Sequence, residues 1–197
     1  MKIFRRVLLS FILVFAVLFG AFSLYFNLCC EKVIISGASM QNTLQNGQLG
    51  VYVHRDRLFK AIGRNDIVVF SRSGVDGNEA RLVKRVIGLP HETVRILFDG
   101  TILIDGEEIA QNYLDEAQRA STYQLKNIDR MEVSLNENQY FVLGDNRSVS
   151  YDSRYFGAIE SETILGKMIL TYGKENEEGK KSYFPLKFLS EVAVWIS

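Results

Sequence analysis

The sequence predicts a mostly β protein, with antiparallel sheets, preceded by one N-terminal transmembrane helix. The first observation behind this prediction is an uninterrupted apolar run from Val7 to Leu28. The second is a series of short, β-branched stretches separated by turn residues from Glu31 onward. The third is Asp99-Gly100, which lies between two such stretches and is the strongest short-range signal of a β-hairpin.

The apolar run is long enough to cross a membrane. At about 1.5 Å per residue it spans roughly 33 Å as a helix, against a hydrocarbon core of about 30 Å. Lys2, Arg5 and Arg6 precede it and are the only charged side chains before Glu31. Because positive charges stay on the cytoplasmic side, the N-terminus is expected in the cytoplasm. The predicted organisation is a cytoplasmic N-terminus, a single-pass anchor in the cell membrane and an extracellular domain, at residues 1–6, 7–28 and 29–197.

Two other interpretations of this run were weighed. A cleavable signal peptide would suit the small residues at Ala21-Phe22-Ser23, but the apolar run continues through Phe26, which favours an uncleaved anchor. A buried core helix would need a polar face, and the run has almost none. Cys29 and Cys30 follow at the membrane edge, and we assign them no function.

The remaining chain contains strand candidates at intervals typical of antiparallel sheets. These candidates are Val33–Ile35, Leu49–Val53, Asp66–Ser71, Arg81–Gly88, Thr93–Phe98, Thr101–Asp105, Tyr140–Leu143 and Thr163–Tyr172. Gln111–Asn138 is polar and mixed, and we predict a long loop there with a helical turn around Leu114–Arg119.

The charge balance excludes one class of function. The chain has 23 Lys+Arg against 23 Asp+Glu, whereas a nucleic-acid binder normally carries a clear positive excess. Nucleic acid is therefore not an expected partner.

Ser39 is the first candidate for chemistry. It lies in Ser36–Met40, where small residues follow an apolar strand and can leave both its hydroxyl and the neighbouring backbone N–H groups exposed. Such N–H groups can stabilise an oxyanion in acyl transfer. Taken alone, the segment is more typical of an ordinary turn.

Lys84 is the second candidate. In a strand, alternation places it on the face of Leu82 and Val86, while Arg85 points the other way. Burial against apolar neighbours lowers the pKa of a lysine, and a neutral lysine can act as general base towards a serine. In isolation, a lysine that protects a sheet edge from aggregation is the commoner explanation.

The third candidate is the segment Gly144–Arg154, which follows an apolar strand. It combines two aspartates, two arginines and three serines, and Asp–Arg pairs can form bidentate bridges that hold a loop rigid. A salt-bridged surface loop without a catalytic part is the alternative explanation.

The sequence lacks the histidine and cysteine motifs of several classes of catalytic site. The histidines are His54 and His91, and neither lies in a recognisable triad motif. The two cysteines are adjacent, which suits neither a zinc site nor a Cys–His protease. A serine enzyme built on this sequence needs a base other than histidine, and lysine is a known variant. We predict no metal and no cofactor.

Together the three segments resemble the signature boxes of type I signal peptidases. The boxes are Gly37–Met40 (GASM), Lys84–Pro90 (KRVIGLP) and Gly144–Gly157 (GDNRSVSYDSRYFG), in the family's order and behind an N-terminal anchor. The length is similar to that of short, single-anchor Gram-positive members. The resemblance implies two antiparallel sheet regions and a membrane-bound serine endopeptidase that removes signal peptides from secretory preproteins after Ala-x-Ala-type sites.

The resemblance also implies roles for individual residues. Ser39 is expected to be the nucleophile and Lys84 its general base, with Ser150 hydrogen-bonded to the lysine to orient it. The supporting ion pairs that it implies are Asp145 with Arg85 and Asp152 with Arg154. Shallow pockets for small substrate side chains at the −1 and −3 positions are expected near the dyad, with Ile35, Met40, Leu44 and Val83 as candidates.

Four positions at three places in the chain depart from the family pattern. Asn42 stands where the family usually has proline, and Gly37 stands where some relatives carry a serine that assists the oxyanion hole. His91-Glu92 replaces the common Gly-Asp. None of these changes removes a catalytic group, so an active enzyme is expected.

Two alternatives from other classes were weighed. A signal-peptidase-like assembly or chaperone factor for surface proteins or pili would be expected to lose the serine or the lysine, and both are present. A self-cleaving Ser–Lys repressor would need a DNA-binding domain where this chain has its apolar run.

The expected partners are secretory preproteins and membrane lipid, with the secretion machinery as a further candidate. Core packing is the favoured explanation for most of the apolar residues near the C-terminus, and contact with lipid is the alternative. These residues are Phe184, Leu186, Phe188, Leu189 and Trp195.

Overall fold

The computed structural model describes most of the chain. The described residues are 2–41, 43–58, 60–73, 77, 79–123 and 131–172. The departure at Asn42 and the apolar C-terminal candidates at 184–195 lie outside them. So does the polar stretch Gly173–Lys181 (GKENEEGKK), for which the sequence predicts a solvated turn.

The first element is one long helix, α1 (Lys2–Cys29). Within its stretch Ile3–Cys29, the most apolar 18-residue window has a mean hydropathy of 2.7, and no residue of that window is buried against the rest of the protein. A helix of this length and composition can cross a membrane, as predicted for residues 7–28. It passes directly into the first strand at Cys30, and both cysteines are free thiols.

The described chain beyond α1 forms short strands and two short helices. The strands are β1 (Cys30–Ile34), β2 (Leu49–His54), β3 (Ile67–Ser73), β4 (Glu79–Gly88), β5 (Thr93–Ile96), β6 (Ile102–Ile104), β7 (Glu107–Glu108), β8 (Met131–Ser134), β9 (Gln139–Leu143), β10 (Ile159–Glu160) and β11 (Ile164–Tyr172). The helices are α2 (Glu116–Ala120) and α3 (Ser153–Phe156). Single 3-10 turns lie at 55–57, 121–123 and 161–163.

The strands form two antiparallel sheets. The larger has the order β1-β2-β11-β3-β4-β9-β10, and the smaller has the order β7-β6-β5-β8. The smaller sheet lies in the chain between β4 and β9, yet these two strands pair directly, with Arg85 opposite Leu143. This pairing positions the site, because the chain that leaves β9 emerges beside the residues at the centre of β4.

Alternation along β4 divides its side chains between two apolar clusters. Leu82 and Val86 pack into a cluster with residues of β3 and β9, and Val83 packs against a second cluster behind the turn after β1. Leu82 and Val86 therefore lie on one face and Val83 on the other, as alternation predicts, while the placement of Lys84 on the face of Leu82 and Val86 stays a prediction. A third cluster joins the smaller sheet to β9 and includes Ile87, Val94, Ile96, Ile102, Ile104 and Phe141.

Every strand predicted from the sequence is present, with ends shifted by a few residues. The hairpin at Asp99-Gly100 is confirmed by the pairing of β5 with β6. Gly100 has a φ of 86°, and a Cβ there would lie 1.9 Å from the carbonyl oxygen of Arg119. Both the backbone conformation and the close approach of a second chain segment therefore require glycine.

The predicted loop at Gln111–Asn138 is partly wrong. It contains β8, which pairs with β5 of the smaller sheet. The predicted helical turn within it is confirmed as α2, which begins after Asp115, whose carboxylate accepts a hydrogen bond from the Gln118 N–H. The short strands β7 and β10 and the helix α3 were not predicted.

Candidate active site

Ser39 lies on a tight turn that follows β1. The turn is closed by hydrogen bonds from the Gln41 N–H to the Ala38 carbonyl, at 3.0 Å, and from the Leu44 N–H to the Met40 carbonyl, at 2.7 Å. The side chains of Met40 and Leu44 are buried. They fasten the turn to the apolar cluster beneath it, so the half-buried Ser39 is held at the surface of that cluster.

Lys84 reaches Ser39 from the middle of β4. Its Nζ lies 2.7 Å from Ser39 Oγ and donates a second hydrogen bond to the Val83 carbonyl, at 3.1 Å. The lysine is only 3% exposed. The structure therefore brings the two residues predicted as nucleophile and base into direct hydrogen-bond contact.

Burial sets the protonation of this lysine. Loss of hydration lowers the pKa of Lys84 from its ordinary 10.5 to about 8, while the negative charges of Asp152 and Asp145 oppose the shift. Desolvation prevails because both carboxylates are already neutralised by arginines, as described below. An amine in this state can accept a proton near neutral pH.

Asp145 connects the third box to the strand that carries the lysine. It is fully buried, and its two carboxylate oxygens accept hydrogen bonds from Arg85 Nε, at 2.8 Å, and Arg85 Nη2, at 2.6 Å. The guanidinium of Arg85 also donates to the Asn65 carbonyl. The bidentate pair holds the start of the third box against β4.

Asp152 and Arg154 form a second buried pair inside the third box. Arg154 Nε and Nη2 donate to the two oxygens of Asp152 at 2.8 and 2.9 Å. Asp152 also accepts from the Gly144 N–H, and Arg154 Nη2 donates to the Arg147 carbonyl. The pair therefore closes the third box on itself and fixes its shape.

Ser150 is buried, but its expected hydrogen bond to Lys84 is not formed in the structure. Its Oγ has no hydrogen-bond partner among the described residues. It packs against Gly144, where an added Cβ would lie 2.2 Å from Ser150 Oγ and 2.5 Å from the Ser39 carbonyl oxygen. A glycine at this position is what allows the third box to approach the nucleophile turn so closely.

The four candidate pocket residues lie together beside the dyad. Ile35, Met40 and Leu44 are at most 3% exposed and form one apolar cluster, against which the half-buried Val83 packs. They provide an apolar floor under Ser39, and little of their own surface is open to solvent. Their part in substrate recognition stays a prediction.

The site also contains residues to which the sequence analysis gave no role. The buried Arg147 donates to the Gly144 carbonyl, to Thr122 Oγ1 at 2.6 Å and to the hydroxyl of Tyr113. The guanidinium of Arg85 lies over the ring of Tyr113, with Arg85 Cζ 4.0 Å from the ring centroid. These contacts dock residues 111–123 on the third box, and nothing in the local sequence of that predicted loop indicates them. Thr43, also missed, hydrogen-bonds to Asp145.

Metal ligation was also considered. In the ranges that the structure describes, no group of three or more histidine, cysteine or acidic side chains is placed to hold a metal ion.

Comparison with known proteins gives matches over most of the chain. The family described as "Signal peptidase, peptidase S26" matches residues 6–173. Signal peptidase I V of Bacillus subtilis (strain 168) is 36% identical over 142 residues, which cover 67% of this chain and 79% of that protein. Signal peptidase IB of Staphylococcus aureus (strain Mu50 / ATCC 700699) is 30% identical over 174 residues, covering 83% of this chain and 88% of that protein.

A solved structure gives a further match. It is the crystal structure of a signal peptidase I from Enterococcus faecalis V583, with 35% sequence identity and a TM-score of 0.45. The match covers 56% of this chain and 98% of the chain in that structure. The family match spans well over half of the sequence and includes all three boxes. The resemblance inferred from those boxes is thereby confirmed, and the chain belongs to the signal peptidase family, peptidase S26.

Proposed function

We propose that this signal peptidase is a membrane-bound serine endopeptidase that uses Ser39 and Lys84 as a catalytic dyad. The observation that carries the proposal is the 2.7 Å separation between Lys84 Nζ and Ser39 Oγ, with the amine buried. At a pKa of about 8, roughly a quarter of the lysine is neutral at pH 7.5, against about one part in a thousand at its ordinary value.

The proposed reaction is acyl transfer through Ser39. The neutral amine of Lys84 takes the hydroxyl proton as Ser39 Oγ attacks the scissile carbonyl carbon, which gives a tetrahedral oxyanion. The resulting ammonium gives its proton to the departing amine as the C–N bond breaks, leaving an acyl-enzyme. Water, deprotonated by the same lysine, then attacks the ester carbonyl. The lysine returns the proton to Ser39 Oγ as the ester C–O bond breaks, and the signal peptide leaves with a free carboxylate.

The backbone N–H of Ser39 is the proposed main donor to the oxyanion. Among the described residues it donates to no other group, whereas the Gly37 N–H is already bonded to Asn46 Oδ1. The Ser39 carbonyl accepts from the Asn146 N–H at 3.0 Å, which fixes the orientation of the adjoining peptide. A donor held in place before the reaction stabilises the oxyanion without reorganising.

Ser150 is the proposed orienting residue for Lys84. Its buried hydroxyl has no partner in the described part of the chain, and an unpaired buried hydroxyl costs free energy that a bond to the amine would recover. The two Asp–Arg pairs of the third box support the dyad by holding the loop against β4.

Substrate choice is proposed to rest on small side chains at the −1 and −3 positions. The apolar floor of Ile35, Met40, Leu44 and Val83 is closely packed, so a large side chain beside Ser39 would have to displace buried atoms. Preproteins with Ala-x-Ala before the cleavage point fit this restriction. The helix α1 is the proposed anchor, with the N-terminus in the cytoplasm and the catalytic domain outside.

The proposal is tested with the full chain in detergent micelles and a preprotein whose signal peptide ends in Ala-x-Ala. We expect one cleavage, directly after the second alanine, as read by N-terminal sequencing of the product. Ser39→Ala and Lys84→Ala should each reduce processing below detection, because each removes one partner of proton transfer. A preprotein with phenylalanine at the −1 position should resist cleavage.

Matched controls come from exposed residues away from the dyad. Ser134→Ala and Lys60→Ala make the same chemical changes at exposed positions and should process normally. Normal processing by the Ser39 or Lys84 variant would refute the dyad. An intact protein that binds preproteins but cuts none would favour the assembly-factor alternative instead.

A further inference from the structure

The turn that carries Ser39 is tied to the third box through a threonine side chain. Thr43 Oγ1 donates a hydrogen bond to Asp145 Oδ2 and accepts one from Arg85 Nη2 at 3.3 Å. Since Arg85 also binds both oxygens of Asp145, the three side chains close a ring of hydrogen bonds. Asp145 is fully buried and Arg85 almost fully buried, so water competes little for these bonds.

The ring joins the segments that supply the two halves of the dyad. Thr43 belongs to the same turn as Ser39, and its N–H donates to the Met40 carbonyl at 3.1 Å. Arg85 directly follows Lys84 on β4. A shift of the turn relative to β4 would therefore break hydrogen bonds in the ring as well as the contact within the dyad.

The same loop also holds the other end of the turn. Asn146, next to Asp145, donates its N–H to the Ser39 carbonyl at 3.0 Å. The turn is thus bonded to the third box at three points: the backbone bond at Ser39, a side-chain bond from Asn146 Nδ2 to Gln41 Oε1 at 3.4 Å, and the side-chain bond at Thr43. Of these three, the bond at Thr43 is the one that also involves Arg85, the neighbour of Lys84 on β4.

We propose that Thr43 is a positioning residue, whose hydroxyl holds the turn so that Ser39 Oγ stays within reach of Lys84 Nζ. The inference rests on the proposed function of the dyad. Thr43 does not touch the reacting atoms, and it acts through Asp145 and Arg85. Its effect should fall on the chemical step, because proton transfer depends steeply on the distance between hydroxyl and amine.

The test compares Thr43→Val with Thr43→Ser in the full chain in detergent micelles. Valine keeps the volume and removes the hydroxyl, whereas serine keeps the hydroxyl and removes a methyl group. We expect Thr43→Val to lower kcat for preprotein cleavage by about 10- to 100-fold with little change in KM. Thr43→Ser should retain most of the wild-type kcat.

The matched control is Thr163→Val, which removes a threonine hydroxyl that donates to the Glu160 carbonyl, at 2.7 Å, in a distant turn. It should leave kcat unchanged. Thermal unfolding of each variant is measured alongside, with Thr43→Ala as a second variant should valine prevent folding. Wild-type kcat in a folded valine or alanine variant would overturn the proposal.

Other outcomes are equally decisive. A loss of kcat in Thr43→Ser as large as that in Thr43→Val would show that keeping the hydroxyl does not preserve the reaction, and failure of both Thr43→Val and Thr43→Ala to fold would assign the hydroxyl to stability; either result overturns the positioning role. Ser39→Ala and Lys84→Ala are assayed in parallel. Cleavage by those two variants would refute the dyad itself, which separates that failure from a failure at Thr43.

Discussion

At the scale of single residues, Lys84 shows how a buried side chain can be needed for chemistry and unfavourable for folding. Its amine is almost inaccessible, and its pKa falls from 10.5 to about 8 because burial removes water from the charged form. A fall of this size corresponds to about 3 kcal/mol of differential free energy between the two protonation states. Burial therefore supplies a neutral base but lowers the free energy of unfolding wherever the unfolded chain would carry the charge.

The sign of the linkage follows from the two pKa values. Between pH 8 and 10.5 the unfolded chain keeps a proton on Lys84 that the folded chain has lost, so the free energy of unfolding rises with pH in this window. Below about pH 8 both states are charged and the full cost of burial is present. Above 10.5 both states are neutral and this cost disappears.

We therefore expect Lys84→Met to unfold at a higher temperature than the wild type at pH 7, although it is inactive. The difference, about 3 kcal/mol at most, should shrink as the pH rises from 8 to 10.5. Thermal unfolding of both proteins in the same micelles across this pH range measures it. A wild type that is more stable than Lys84→Met at pH 7 would contradict the prediction, and Lys60→Met is the exposed control.

At the scale of elements, the strands that local sequence predicts are those with their own periodic pattern. β2 alternates Leu49, Val51 and Val53 with other residue types, β4 is rich in β-branched residues, and the β5–β6 hairpin has its turn dipeptide beside it. Each of these signals lies within a short window of sequence. β8 follows a polar stretch and is defined by pairing with β5. β7 and β10 have two residues each, too few to show a period.

At the site, too, local sequence predicts only the residues that lie in distinctive motifs. Ser39, Lys84 and the two Asp–Arg pairs lie in dense motifs, and the resemblance to a family supplied their roles. Thr43, Tyr113 and Thr122 have ordinary sequence neighbours. Their contacts arise only when β4 and β9 pair and bring the third box onto two other segments. No local pattern encodes contacts of that kind.

The turn between β4 and β5 contains His91-Glu92, which replace the Gly-Asp common in the family. His91 has a φ of 69°, a conformation that favours glycine, which is the usual residue of the family here. The next residue, Glu92, accepts hydrogen bonds from the Leu89 N–H and from Arg64. These hydrogen bonds hold the turn in its conformation, and this leaves the backbone of His91 in a strained, positive-φ state.

We expect His91→Gly to raise the stability by up to about 1 kcal/mol, because glycine adopts positive φ without strain. The His91 side chain is exposed, so little packing is lost. Glu137→Gly, an exposed turn position without positive φ, should instead destabilise the protein. Thermal unfolding of both variants measures the difference, and a His91→Gly protein that is no more stable than Glu137→Gly would contradict the prediction.

At the scale of the whole molecule, the path of the chain keeps Ser39, the proposed nucleophile, close in sequence to the C-terminal end of α1, the proposed membrane anchor. The helix ends at Cys29 and continues into β1, after which Ser39 follows at once. An extended chain between those two residues spans at most roughly 35 Å. A substrate tethered in the same bilayer therefore meets Ser39 at high effective concentration without further contacts.

This arrangement is productive only if the domain lies on the side to which preproteins are exported. Lys2, Arg5 and Arg6 are the charges expected to decide it, because Lys and Arg close to the end of a span stay in the cytoplasm. In spheroplasts carrying the full chain with an N-terminal epitope, external protease should digest the domain and leave the epitope intact. Changing the three residues to glutamate should shift a fraction of the chains to a protected domain.

The control reverses the same number of charges in the part of the chain that follows β2, at the exposed Lys60, Arg95 and Arg119, and should leave the digestion pattern unchanged. Protection of the wild-type domain in intact spheroplasts, with digestion only after lysis, would place the domain in the cytoplasm and contradict the prediction. Equal effects of the two triple variants would show that total charge matters and not its position. Only the pattern in which the N-terminal triple alone alters digestion links the first six residues to the side on which Ser39 works.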